Sequence, residues 1–342
     1  MRFFLLILIL LVTTTQAFSQ STLLKVIAKQ GDGVYTLLRR HGISFSHFDS
    51  FIKLNKDNLG ADNSLYAGRT YLLPAPSGPK EPVHTSPATH TPEESANVLH
   101  VPLFGDKHAR VEIKDQKLKG AVYYLVSGHG GPDPGAVGKY GPYQLAEDEY
   151  AYDVTIRLAR RLMEHGATVH MIIQDENDGI RDDSILELDR DEVNYSGDPI
   201  SLSQVTRLRQ RTDAINSLYA KNKGAYQRML SIHVDSRSRG QNIDVFFYHH
   251  ENSSAGQKLA ENIHQTFTSN YNRYQPNRDY FGSVSHRSSL YVVKYSYPPT
   301  VFIELGNIRN NLDQRRFVIP NNRQALANWI CEGILLDYQS NK

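Results

Sequence analysis

The chain has 342 residues, with 38 Lys and Arg against 36 Asp and Glu and a formal net charge of +2. That length can bury a sizeable core and accommodates two domains, and the near-balance of charge, with no basic run interleaved with aromatics, argues against nucleic acid as a partner. The only cysteine is Cys331, which excludes an internal disulfide and any CxxC metal site, so a bound metal must be held by histidine and carboxylate.

In chain order, Arg2 precedes the apolar run Phe3 to Val12, followed by Thr13-Thr14-Thr15-Gln16-Ala17. A charged start, a short apolar core and a small-residue exit predict a secretory signal peptide over 1–17, with Gln20 as the alternative exit. The run is too short for a membrane span, which needs roughly 20 residues. The mature chain is therefore expected to be exported to a periplasm or cell envelope without a membrane span, and no cysteine beside the exit supports a lipid anchor.

Residues 24–74 read as strand, helix, helix, strand. A strand at Val26-Ile27-Ala28 leads into Gly31-Asp32-Gly33. Two amphipathic runs follow, at 34–42 and ending Phe51-Ile52-Lys53-Leu54-Asn55, and the unit closes on Ala67-Gly68-Arg69-Thr70-Tyr71-Leu72-Leu73-Pro74. In these motifs the segment resembles the LysM module, which implies binding to N-acetylglucosamine-containing glycans such as peptidoglycan. Residues 75–97 place prolines among Ser, Thr, His and Glu and predict a stiff, extended linker, whose His84 and His90 read as solvated.

From residue 98 onward apolar periodicity returns. After an entry segment of short strands, strands are predicted at 121–127, 167–173, up to His233, at 243–248 and at 300–305. Helices are predicted at about 147–165, 203–221, 255–269 and 323–337. The alternation indicates an α/β domain over 98–342, a mostly parallel twisted sheet flanked by helices. Between them, residues 175–198 form an acidic stretch without the spacing of a calcium-binding helix-loop-helix motif, because Gly179 falls one place early. It reads first as a solvated surface loop, with a lid over the site as the alternative.

Four residues stand where chemistry is expected. His129 lies in Gly128-His129-Gly130-Gly131-Pro132-Asp133-Pro134-Gly135-Ala136, directly after an apolar strand, and no Gly-Lys-Ser/Thr follows to make a phosphate loop. His233 ends another strand, and the carboxyl ends of parallel strands are where ligands gather. Glu304 ends the strand Thr300 to Ile303, where an unpaired carboxylate is costly. Of Glu147, Asp148 and Glu149, Glu147 continues the packed stripe Ala151, Val154, Leu158 and Leu162. Glu149 continues Asp153, Arg157, Arg160 and Glu164, read as the solvated face, and is the reserve choice. His249 and His250 read as surface or supporting residues, Trp329 reads as core, and no HExxH motif is present.

Two histidines and a carboxylate with an open fourth position suit a hydrolytic zinc site. Residues from about 120 to 338 resemble the zinc-dependent N-acetylmuramoyl-L-alanine amidases of the Amidase_3 family. The resemblance rests on Gly-His-Gly-Gly-x-Asp-x-Gly-Ala at 128–136, Glu147, Arg211 with Asn216, Ser231-Ile232-His233, and Glu304-Leu305-Gly306 with Asn310 and Asp313. It implies zinc on His129, Glu147 and His233 and a catalytic Glu304. The implied reaction cleaves the amide bond between N-acetylmuramic acid and L-alanine of the peptidoglycan stem peptide, in wall remodelling or cell separation. A zinc carboxypeptidase or endopeptidase acting on stem peptides, and a non-catalytic wall-binding protein, are the competing expectations. No regulatory partner is identified.

Overall fold

The computed structural model describes residues 23–29, 34–41, 43, 47–60, 65–74, 97–236 and 242–341. The signal peptide expected at 1–17 and all but the last residue of the linker expected at 75–97 lie outside these residues. Chain contacts divide the protein into two units, Met1–Thr89 and His90–Lys342.

The first unit runs β1 (Leu24–Ile27), α1 (Val34–Arg40), α2 (Phe48–Asn55) and β2 (Thr70–Leu73), the order of elements that the sequence predicts. The two strands pair antiparallel with Val26 opposite Tyr71. Val26, Leu37, Leu38, Phe51, Tyr71 and Leu73 close a small core between strands and helices. Asn55 locks the end of α2 to β2. Its Nδ2 donates to the Phe51 carbonyl (2.9 Å) and the Leu72 carbonyl (2.8 Å), and its Oδ1 accepts the Leu72 amide at 2.7 Å. A buried amide with donors and acceptor all engaged fixes the strand's register on the helix.

The second unit opens with the antiparallel pair β3 (Val98–His100) and β4 (Arg110–Glu112), then β5 (Ala121–Ser127). A hairpin follows, β6 (Val137–Tyr140) and β7 (Tyr143–Ala146), leading straight into α3 (Glu147–Glu164). Next come β8 (Thr168–Met171), β9 (Ile173–Gln174), β10 (Val193–Asn194), α4 (Gln204–Lys221), β11 (Tyr226–Asp235), β12 (Phe246–His249) and α5 (Ser254–Tyr274). The chain ends with β13 (Ser283–His286), α6 (Tyr291–Tyr295), β14 (Thr300–Asn307), α7 (Asn311–Val318) and α8 (Pro320–Gln339). The strand expected at 167–173 divides after Met171, because β9 leaves the main sheet to pair with β10. The hairpin, β13, α6 and α7 escape the sequence reading, because polar residues interrupt their short runs before an apolar pattern forms.

The main sheet has the order β13-β12-β14-β11-β5-β8. Strands β8, β5, β11 and β14 are mutually parallel, and β12 runs antiparallel to β14. All seven residues of β5 are buried, as a central strand covered on both faces requires. Tyr123 and Leu125 point to the side packed by Leu158, Leu162, Ile263 and Ile330. Val122, Tyr124 and Val126 point to the other side, against Ile215, Leu218, Val292 and Val293. The chain leaves β5 through α3 to β8 on one flank and returns to β11 on the other. That reversal opens a crevice at the carboxyl ends of β5 and β11.

Candidate metal centre

Each strand at the crevice carries a predicted residue near its carboxyl end: His129 lies two residues past the end of β5, and His233 two residues before the end of β11. Beyond Ser127, the Gly128 amide still donates to the Ile232 carbonyl at 2.7 Å, which carries the β5–β11 ladder one residue past the strand. A side chain at Gly128 would meet the His233 ring, with Cγ only 2.7 Å from the added carbon, so this position must be glycine. His129 follows with φ 61°, a left-handed conformation uncommon outside glycine. Strain of this kind persists where surrounding contacts fix it, and here those contacts are plain. The His129 carbonyl accepts a hydrogen bond from Arg211 Nη2, and Nδ1 meets Asp133 Oδ2 at 2.9 Å.

Glu147 lies between the two histidines. Its Oε1 is 2.9 Å from His233 Nδ1 and its Oε2 is 3.3 Å from His129 Nε2. The same oxygens accept the Val234 amide at 3.0 Å and the Ala136 amide at 2.8 Å, which fixes the carboxylate plane. The imidazole rings stand edge to face with centroids 5.2 Å apart, and His233 stacks on Phe302 at 4.2 Å. One ligand atom from each of His129, Glu147 and His233 lies within 4.8 Å of the others. Gly135 closes the site from the turn, since a side chain there would run into Glu147 Oε2 and the His129 ring.

The electrostatics separate the two histidines. Burial works against a charge on His129, but hydrogen bonds to Asp133 and Glu147 overcome it and push the group up to about 10. Burial dominates at His233 and lowers its affinity for a proton, with the neighbouring His129 and Arg211 adding to the effect against Glu147. Burial would raise Glu147, yet the two histidines hold it below the usual carboxylate range.

Behind His129 a second layer comes from α4. Arg207 Nη2 reaches Asp133 Oδ2 at 2.5 Å, so Asp133 is braced while it orients the imidazole through Nδ1. Arg211 is pushed down to about 10 by burial and by the neighbouring Arg207. Asp133 belongs to the glycine-rich motif, but sequence reasoning assigned it no role, and Arg207 was missed.

Glu304 is the in-register partner of His233 across β11 and β14. In-register residues of parallel strands project to the same face, so the carboxylate and the imidazole face the same side. The register shifts immediately beyond them, with Asp235 opposite Asn307, and this bulge lies where the strands leave the sheet. Glu304 Oε2 is shut off from solvent and has no hydrogen-bond partner among the described residues. Burial, then the charges of Glu147 and Asp235, push this carboxyl well above its usual range. The crevice thus brings His129, Glu147 and His233 together, with Glu304 next to His233.

Residues 124–335 match the family model described as N-acetylmuramoyl-L-alanine amidase, Amidase_3. The chain belongs to this amidase family. A germination-specific N-acetylmuramoyl-L-alanine amidase of Bacillus subtilis is 26% identical over 222 residues, covering 64% of this chain and 80% of the relative. Among solved structures, the CwlD amidase from Clostridioides difficile, in complex with the GerS lipoprotein, is 21% identical with a TM-score of 0.48. That match covers 65% of this chain and 99% of that one. The catalytic domain of the amidase CwlV from Bacillus (Paenibacillus) polymyxa var. colistinus is 20% identical with a TM-score of 0.46, and the coverage is again 65% and 99%. No helix among the described residues is long and apolar enough to cross a membrane.

In this amidase-family chain the face of α3 opposite the histidines corrects the sequence reading. Glu149, Asp153, Arg157 and Glu164 are buried rather than solvated. Asp153 is fully enclosed between Arg157 Nε (2.7 Å) and Arg323 Nε (2.5 Å), the latter from α8. The acidic stretch is solvated only in part: Glu176, Asp182, Asp183, Glu187 and Asp198 are exposed, whereas Asp175 and Glu192 are buried. Glu149 Oε2 pairs with Arg181 Nη1 at 2.8 Å, and Glu149 Oε1 accepts the Asp189 amide at 3.0 Å. Glu192 Oε2 accepts the Gly131 amide at 2.6 Å, which ties the insertion to the histidine turn. Glu149, the reserve ligand, faces this insertion instead of the histidine pair. Burial and Glu149 push Asp148 up to about 8, and burial and Asp148 push Glu192 up to about 9.

Proposed function

We propose that the chain is an exported zinc amidase that cleaves the amide bond between N-acetylmuramic acid and L-alanine of peptidoglycan. The observation that carries this reading is the His129–Glu147–His233 cluster with Glu304 in register beside His233, its Oε2 without a hydrogen-bond partner among the described residues. The donors fit zinc: two imidazole nitrogens and one carboxylate, with the far nitrogen of His129 held by Asp133. A zinc ion held by the three residues would lower the pKa of a bound water and polarise the scissile carbonyl. Glu304, beside His233, would be the residue to take a proton from such a water and return one to the leaving nitrogen of L-alanine. Asp133 and Arg207 hold His129 in place, and Arg211 fixes the strained turn beneath it.

Residues 1–17 would direct export and 24–74 would hold the enzyme on the glycan as a LysM-type module. Residues 75–97 would act as the tether that raises local substrate concentration. Wall remodelling or cell separation is the role that fits these parts. The test is to incubate the mature chain with purified peptidoglycan and weigh the products. Intact stem peptides bearing a free L-alanine amine are expected, with activity lost on chelation and restored by zinc. Cuts within the peptide would instead make it a carboxypeptidase or endopeptidase, and binding without any product would make it a scaffold.

A further inference from the structure

One residue past the proposed zinc ligand, the first turn of α3 turns two more carboxylates the other way. Asp148, Glu149 and Glu192 are 1%, 1% and 5% exposed, and one carboxylate oxygen of each lies within 4.8 Å of the other two. Among the described residues a single ion pair reaches these three, from Arg181 to Glu149. Arg211, on the far side of the histidine turn, gives its Nη2 to the His129 carbonyl instead. Three carboxyls are thus enclosed together with a single ion pair among the described residues. Burying ions is unfavourable unless each is paired or bound to a metal, and the positive end of one helix offsets far less than the missing charge.

A separate observation concerns Asp148 alone. Its Oδ1 accepts the Glu149 amide at 3.0 Å, while its Oδ2 is shut off from solvent and has no hydrogen-bond partner among the described residues. An enclosed carboxylate oxygen with neither donor nor water access lacks an electropositive neighbour. All three side chains offer oxygen and no nitrogen or sulfur, which selects a hard cation over zinc. The absent helix-loop-helix spacing does not count against this, because the donors come from two separate segments, a helix start and the insertion.

We propose that Asp148, Glu149 and Glu192 bind a calcium-type divalent cation, distinct from the metal of the histidine cluster, that fastens the acidic insertion to the start of α3. Glu192 also holds the Gly131 amide, so the ion would brace the turn carrying His129 from its outer side.

The test is calorimetric titration of calcium chloride into the zinc-loaded full chain, with thermal unfolding followed in parallel. One calcium per chain is expected, with an unfolding midpoint that rises as calcium is added. His129→Ala should bind calcium as the parent does, because its lesion lies in the other site. Asp148→Asn and Glu192→Gln should each weaken calcium binding by about tenfold or more. The two variants alter different segments, so a folding failure in one leaves the other informative. The proposal is overturned if the parent chain takes up no calcium, as it would if the carboxyls held protons instead. It is equally overturned if both carboxamide variants bind calcium normally or if His129→Ala abolishes binding.

Discussion

Glu147 and Glu149 stand two residues apart in the first turn of α3, and both are buried carboxylates. They differ in what the rest of the chain brings to them. Two residues of helix turn a side chain through roughly 200°, so Glu147 meets the ends of β5 and β11 while Glu149 meets the insertion. Two imidazoles hold Glu147 below the usual carboxylate range. Glu149 goes the other way, because burial outweighs the attraction of Arg181. Burial alone is common to both, so the partners delivered by distant segments decide the chemistry.

The largest way to test that division is Glu147→Gln. Removing the anionic donor should leave purified protein without bound zinc and without measurable amidase activity, read by metal analysis and product mass. Zinc retained at the parent level would show that Glu147 is not the third ligand. Next comes Glu304→Gln, which removes the proposed proton carrier and leaves the three proposed donors untouched. Here zinc content should match the parent while kcat falls by about 10²- to 10⁴-fold, and a variant of full activity would remove Glu304 from the mechanism. Asp133→Asn is smaller still. The His129 imidazole keeps a hydrogen-bonding neighbour but loses the anionic one braced by Arg207. Zinc affinity should therefore drop about 10- to 100-fold, as competition with a chelator would reveal, and an unchanged affinity would mean Asp133 does not tune the site.

His129, His233 and Glu304 were legible because each ends or follows an apolar run, and polar residues at the carboxyl ends of buried strands need a reason to be there. Glu147 was legible because it lies in phase with Ala151, Val154, Leu158 and Leu162, all buried. The bracing by Arg207 was not, since it joins residues 74 positions apart and leaves no periodic trace. The opposite stripe of α3 was misread for a physical reason. A run of Glu, Asp and Arg at helical spacing has the same pattern whether water or counter-charges surround it. Only the arrival of Arg323 from α8 and Arg181 from the insertion makes the Glu149–Asp153 surface an interior one. Short elements such as β6, β7 and β13 were invisible because Gly, Lys, Gln, Ser and His leave them too few apolar residues to mark a strand.

The smallest expected effect on the metal comes from Glu149→Gln, and it bears most directly on the comparison. The carboxylate's two oxygens accept from Arg181 and from the Asp189 amide, on the side away from the histidines. Gln keeps the shape and one acceptor but discards the charge opposite a largely buried guanidinium. Stability should fall by about 1–3 kcal/mol, the cost of leaving a buried polar partner incompletely satisfied, as measured by denaturant unfolding of the zinc-loaded protein. Zinc affinity should stay at the parent value. A loss of zinc comparable to that of Glu147→Gln, with stability unchanged, would reverse the assignment of the two glutamates. A loss of stability with zinc intact would place Glu149 in the fastening of the insertion, one helical step from the chemistry and outside it.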